Sequence, residues 1–116
     1  MSFKVYHNPR WSKSREAVSL LKTAGVEFEI IEYLKHPLSL PELHNLSKKL
    51  GMHPKDFSRK GEAEFRAQKL QSASEDPRVF FEAIARCPKI MERPIAVKGD
   101  RAVIGRPPER VLTLLE

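Results

Sequence analysis

The stretch FKVYHNPRWSKSREAVSLLKTAGVEFEIIEY, residues 3–33, decides the fold. Phe3-Lys4-Val5-Tyr6 has the alternation of a short strand, and His7-Asn8-Pro9-Arg10 breaks it with turn-forming residues. From Ser12 to about Ala24, Ala17, Val18, Leu20, Leu21 and Ala24 keep helical spacing until Gly25 stops the run. Val26 to Tyr33 is rich in Phe, Ile and Val and reads as a second strand. Strand, helix and strand in that order predict a right-handed crossover between two parallel strands.

The remaining elements follow from local signals. Ser39-Leu40-Pro41-Glu42 is a capping box with proline in the first turn, opening a helix to about Leu50 with Gly51 as its C-cap. Glu62 to Gln71 and Pro77 to Arg86 read as two further helices around the polar Ser72-Ala73-Ser74-Glu75-Asp76. Pro94 to Val97 and Ala102 to Ile104 read as strands joined by a Gly-first turn in Lys98-Gly99-Asp100-Arg101. A last helix is expected over Pro107 to Leu115, opened by prolines. The order βαβ, helices, ββα fits an α/β fold of thioredoxin-like layout, a mixed four-stranded sheet with flanking helices, and by pattern alone fits other small α/β sheets equally well. Residues 1–116 are expected to form one domain with a helical insertion at about 39–86.

Composition narrows the class. The 116 residues are 41% hydrophobic and 31% charged, the profile of a globular domain. Charges interrupt every apolar run, so no membrane partner is expected. Met1-Ser2-Phe3-Lys4-Val5 lacks the apolar core and cleavage site of a signal peptide, so the expected setting is cytoplasmic. One cysteine rules out an internal disulfide and a multi-cysteine metal site. Twenty-one basic against fifteen acidic residues give +6, which favours an anionic partner. Nucleic acid is the weaker choice, because the bases are scattered and no aromatic RNA-binding motif is present.

Several residues could carry chemistry. The loop from Tyr6 to Arg15 ends at a helix start, where backbone N–H groups and the helix dipole favour an anion. Ser12 and Ser14 add hydroxyls there, and Lys13 and Arg15 add charge; an ordinary helix start with solvated bases has the same residues. Arg59, Arg93 and Arg106 stand apart, the last two directly before proline, which extends the preceding residue. Guanidinium forks suit tetrahedral oxyanions, so three converging arginines would bind one; each alone reads sooner as a surface ion pair. Cys87 closes the Pro77–Arg86 helix, where the negative end of the dipole disfavours a thiolate, and it reads as structural. His36, His44 and His53 lack metal-ligand spacing, and Glu27, Glu29 and Glu32 suit an exposed strand better than paired acid–base chemistry.

Taken together, His7-Asn8-Pro9-Arg10, Ser12-Lys13-Ser14-Arg15, Arg59-Lys60, Glu92-Arg93-Pro94-Ile95 and Gly105-Arg106-Pro107 resemble the glutaredoxin-dependent arsenate reductase family over Phe3 to Leu115. The resemblance implies a thioredoxin-like fold with a helical insertion and a cis Arg93–Pro94 bond. It implies no bound cofactor, with glutathione and glutaredoxin as reductants. In the family a thiolate attacks arsenate, and the thiol–arsenate adduct is then reduced to arsenite. The resemblance places that cysteine at the position of Trp11. It gives His7 and Ser14 the roles of lowering the thiol pKa and hydrogen-bonding the sulfur, and gives Arg59, Arg93 and Arg106 the oxyanion.

Indole offers no nucleophile comparable to a thiolate, since its N–H only donates hydrogen bonds. Losing a covalent nucleophile costs orders of magnitude in rate, so the chain as written is expected to be an inactive pseudoenzyme with an arginine-lined site for arsenate, phosphate or sulfate. Trp11 is native to a redox-silent relative, an engineered or accidental Cys-to-Trp change in an active reductase, or a plug in a decayed pocket. The rival from another class is an Spx-like regulator that binds the RNA polymerase α-subunit. Trp11 and Ser14 occupy the two positions of its Cys-Xaa-Xaa-Cys switch, so redox sensing is disfavoured.

Overall fold

Four strands form one mixed sheet in the order β2-β1-β3-β4 in the computed structural model, which describes residues 3–68, 70 and 76–116. The strands are β1 (Phe3–Tyr6), β2 (Glu29–Ile31), β3 (Ile95–Lys98) and β4 (Arg101–Ile104). The helices are α1 (Ser12–Thr23), α2 (Leu40–Leu50), α3 (Ala63–Ala67) and α4 (Pro77–Arg86), with 3-10 turns at Pro54–Phe57, Pro88–Ile90 and Pro108–Leu115. β1 runs parallel to β2, with Val5 beside Ile30, and antiparallel to β3, with Val5 beside Ala96. β3 and β4 close as a hairpin in which Lys98 pairs Arg101 across Gly99-Asp100. Gly99 has a φ of 61°, a value that a side chain disfavours and a two-residue hairpin turn uses.

Two compact units divide the chain. The first comprises residues 1–36 and 93–116, the second Pro37–Glu92. In the first, the alternation of β1 sends Phe3 and Val5 to one face of the sheet, where α1 adds Ala17, Val18 and Leu21. Val111 and Leu114 complete that core from the C-terminal turns. In the second, Leu43, Leu46, Phe57, Phe65, Phe80, Phe81, Ile84 and Ile90 are buried. Both ends of α2 form as its sequence specifies. Glu42 N donates to the Ser39 hydroxyl, Ser39 N donates to the Glu42 carboxylate, and Gly51 ends the helix at a φ of 67°.

Several element boundaries differ from the sequence expectation, and the β3–β4 hairpin is one residue longer at its turn on each side, ending at Lys98 and restarting at Arg101. The strand expected over Val26 to Tyr33 pairs only at Glu29–Ile31. Val26 and Phe28 instead pack on the first core, and the N–H groups of Lys35 and His36 turn back onto the Glu32 carbonyl. The helix expected over Glu62 to Gln71 is helical at Ala63–Ala67 with Gln68 as its cap, and Gln71 lies outside the described residues. β3 begins at Ile95 rather than Pro94, because proline has no N–H to give the ladder. The last segment is a run of 3-10 turns, with Arg110 N donating to Pro107 O and with Pro108, Val111 and Leu114 buried three residues apart.

Gly105 joins β4 to that last segment under tight packing. A Cβ there would meet the Pro94 ring at 2.8 Å and Val111 at 2.9 Å. Gly105→Ala is therefore expected to cost about 1–3 kcal/mol of stability, measured by urea unfolding, since neither neighbour is a flexible chain end. An unchanged midpoint would contradict the overpacking.

Candidate functional site

The site starts at the end of β1. His7 and Asn8 leave the strand buried, and Ser14, in the first turn of α1, is fully buried beneath them. The Ser14 hydroxyl lies 2.8 Å from His7 Nδ1 and accepts from Asn8 N at 3.1 Å. With the ring proton on Nε2, that hydroxyl donates to Nδ1 while it accepts from Asn8. Asn8 shapes the turn as well: its side-chain oxygen accepts from Arg10 N at 3.1 Å, and its carbonyl accepts from Trp11 N at 3.1 Å. The Arg15 guanidinium donates to Pro9 O at 2.9 Å, tying the helix back to the loop. Burial holds the His7 imidazole below its ordinary pKa, opposed by the Glu32 carboxylate and reinforced by the charges of Arg15 and Lys22.

Trp11 is the N-cap residue of α1, with extended backbone and no side-chain cap. The residue is 45% exposed. The first turn of α1 contains no acidic residue, so the positive end of the helix meets Lys13 and Arg15 with no carboxylate among them. Over the indole ring lies Arg93, its guanidinium carbon 3.9 Å from the ring centroid. Arg93 is only 3% exposed, a setting in which a cation–π contact contributes roughly 1–2 kcal/mol. Stacking uses the face of the guanidinium, whereas hydrogen bonds to an anion use its edges.

Two of the arginines of this unit precede cis prolines: Arg93–Pro94 and Arg106–Pro107 are both cis. Gly105 N donates to Pro94 O at 2.8 Å, so the segment bearing Arg106 runs beside the one bearing Arg93. Arg106 itself is exposed. Arg59 belongs to the second unit, just after the Pro54–Phe57 turn. There its Nε donates to Glu62 Oε1 at 3.1 Å, and its Nη1 lies 3.5 Å from Glu92 Oε1. Thus the first unit holds two contacts, His7 with Ser14 and Trp11 with Arg93, while Arg59 is held by two carboxylates in the second.

Other candidates fall elsewhere. Cys87 is the half-buried C-cap of α4 in the second unit. His44 and His53 pack their rings on Phe81 and Phe80 at 5.6 and 5.5 Å, and His53 Nδ1 accepts from Lys55 N. Among the described residues, no group of three His, Cys, Asp or Glu side chains could hold a metal, and no helix is long and apolar enough to cross a membrane. A groove of about 310 Å³ beside Leu40, His44 and Phe81 contains none of the site residues. Sequence reasoning missed Asn8, Glu62 and Glu92 as site-builders. The signal was present for the two acids, since Glu62 follows Arg59 by three residues and Glu92 precedes Arg93.

A mixed β2-β1-β3-β4 sheet with this loop at the start of α1 defines an α/β protein of the thioredoxin-like class. The family model of the ArsC family matches residues 6–114, and the chain belongs to that family. It is 43% identical over 113 residues to the uncharacterized protein YfgD of Escherichia coli (strain K12), covering 97% of this chain and 95% of that one. It is 39% identical over 116 residues to the arsenate reductase of Haemophilus influenzae, covering 99% of this chain and all of the other. The solved arsenate reductase from Vibrio cholerae superposes with a TM-score of 0.93 at 38% identity, over 97% of each chain.

Two measurements test the buried pair. Ser14→Ala removes the partner of both His7 Nδ1 and Asn8 N, and is expected to cost about 1–3 kcal/mol in chemical denaturation. Because the folded-state pKa of His7 is depressed, the unfolded chain takes up the proton first as pH falls. Its contribution is therefore present above the ordinary value of 6.5 and is lost as pH drops through the lowered folded value. The stability difference between the native chain and His7→Gln should shrink as pH falls from above 6.5 through the lowered folded value. A difference independent of pH would contradict a neutral buried imidazole.

Proposed function

We propose that this chain is a redox-silent member of the ArsC family that binds a small tetrahedral oxyanion, arsenate, phosphate or sulfate, at an arginine-lined site beside Trp11. One observation carries the reading: a buried arginine, Arg93, is stacked on an indole at the uncapped, acid-free start of α1. The stack fixes the guanidinium plane and leaves the fork geometry suited to two oxygens of one anion. The helix dipole, Lys13 and Arg15 favour negative charge at the same place. On this reading Arg106 in the same unit, and Arg59 in the second, are each oxyanion-binding residues, the role that the family resemblance gives them. Relatives named arsenate reductases support arsenate as a member of the ligand class.

Binding without turnover follows from what stands at the helix start. Arsenate reduction on a thiol needs a nucleophile that can form and release a bond to arsenic, and indole supplies only an N–H donor. His7 and Ser14 would support a sulfur, but here they brace the loop. Glutathione and glutaredoxin, the reductants of the family chemistry, would have no adduct to act on.

Trp11 is the sole tryptophan, so its fluorescence reports on the site directly. Arsenate and phosphate, titrated against chloride at equal ionic strength, are expected to give a saturable change, because an anion on Arg93 alters the charge above the ring. Arg93→Ala should abolish that change and weaken binding about tenfold or more, as for loss of a charge-assisted pair. A flat response together with no heat in calorimetry would mean that the indole closes the site.

A further inference from the structure

We propose that the Glu92 carboxylate makes the Arg59 site selective for oxyanions that keep a proton, arsenate and phosphate, over those that keep none, sulfate and selenate. The inference rests on the reading that Arg59 takes part in oxyanion binding. It concerns which oxyanion, a choice that arginines alone do not make.

Arg59 carries its donors in a planar fork with two usable edges. Glu62 Oε1 occupies Nε at 3.1 Å, and its other oxygen lies 4.0 Å from Lys89 Nζ, so both oxygens of Glu62 face cations. Glu92 Oε1 lies 3.5 Å from Nη1, at the end of the fork. An anion that takes the terminal nitrogens of Arg59 shares Nη1 with Glu92, and its oxygens come beside that carboxylate.

An ionised carboxylate only accepts hydrogen bonds, and so does sulfate or selenate. Set side by side they repel and leave lone pairs facing each other. The repulsion is incompletely screened, because the side chains of Arg59, Glu62 and Glu92 are only 19%, 16% and 22% exposed. Phosphate and arsenate retain an O–H at neutral pH. That hydroxyl donates to Glu92 and turns the repulsion into a short charge-assisted hydrogen bond. Selectivity then arises from a group that penalises the wrong ligand as well as from one that attracts the right one.

The test is calorimetric titration of the full chain with phosphate, arsenate, sulfate and selenate at neutral pH and fixed ionic strength, repeated with Glu92→Gln and Glu62→Gln. Phosphate and arsenate are expected to bind about tenfold or more tightly than sulfate and selenate, the scale set by an unmatched polar contact. In Glu92→Gln the side-chain amide can donate to a bare oxygen, so sulfate should approach phosphate in affinity. Glu62→Gln should keep most of the preference, since Glu62 is turned to Nε and Lys89. Should Glu92→Gln fail to fold, Glu92→Asp withdraws the carboxylate by one methylene and should weaken the preference. Equal affinity for all four anions in the native chain, or a preference that survives in folded Glu92→Gln, would overturn the inference while oxyanion binding stands. Binding of none of the four would overturn both.

Discussion

The Ser14 hydroxyl, buried between His7 Nδ1 and Asn8 N, is the contact on which the rest of the site depends. It joins the last residues of β1 to the first turn of α1, so that strand and helix cannot shift independently. With that junction fixed, Asn8 folds the loop by accepting from Arg10 and Trp11, and Trp11 falls at the N-cap. The indole then meets Arg93, brought in from the other end of the unit by the pairing of β3 with β1. A ring held at the helix start and a buried guanidinium stacked on it are thus consequences of one hydroxyl and one sheet register.

Charge is distributed unevenly around the arginines. At the start of α1, Lys13 and Arg15 add to the positive end of the dipole without an acidic residue in the turn. Around Arg59 the balance is reversed, with Glu62 and Glu92 on one guanidinium and Lys89 beyond Glu62. A site that used only cations would hold any small anion in proportion to its charge. Carboxylates beside an arginine give up part of that attraction, and on the proposed selectivity a ligand proton restores it.

Much of the architecture was legible in the sequence because it rests on local signals. The β1–α1–β2 order, the Ser39 and Glu42 capping box and the Gly99 turn each need only neighbouring residues. The edges of elements were less legible. Val26 and Phe28 have strand composition but are drawn onto the core, and Pro108 to Leu115 follows a three-residue spacing that resembles a helix from sequence. At the site, the family resemblance singled out His7, the helix start singled out Ser14 and the proline after it singled out Arg93, yet their contacts depend on tertiary folding. The stack of Arg93 on Trp11 joins residues eighty-two positions apart, and the Glu92 contact with Arg59 joins residues from separate elements. No local pattern encodes either.

The central claim is that the nucleophile alone separates this chain from the reductases it resembles. Trp11→Cys tests it most directly, with arsenite formation from arsenate followed in the presence of glutathione and glutaredoxin. No arsenite is expected from the native chain, and sustained turnover is expected from the variant. Arsenite formed by the native chain, or none from a folded Trp11→Cys protein that still binds arsenate, would contradict the claim.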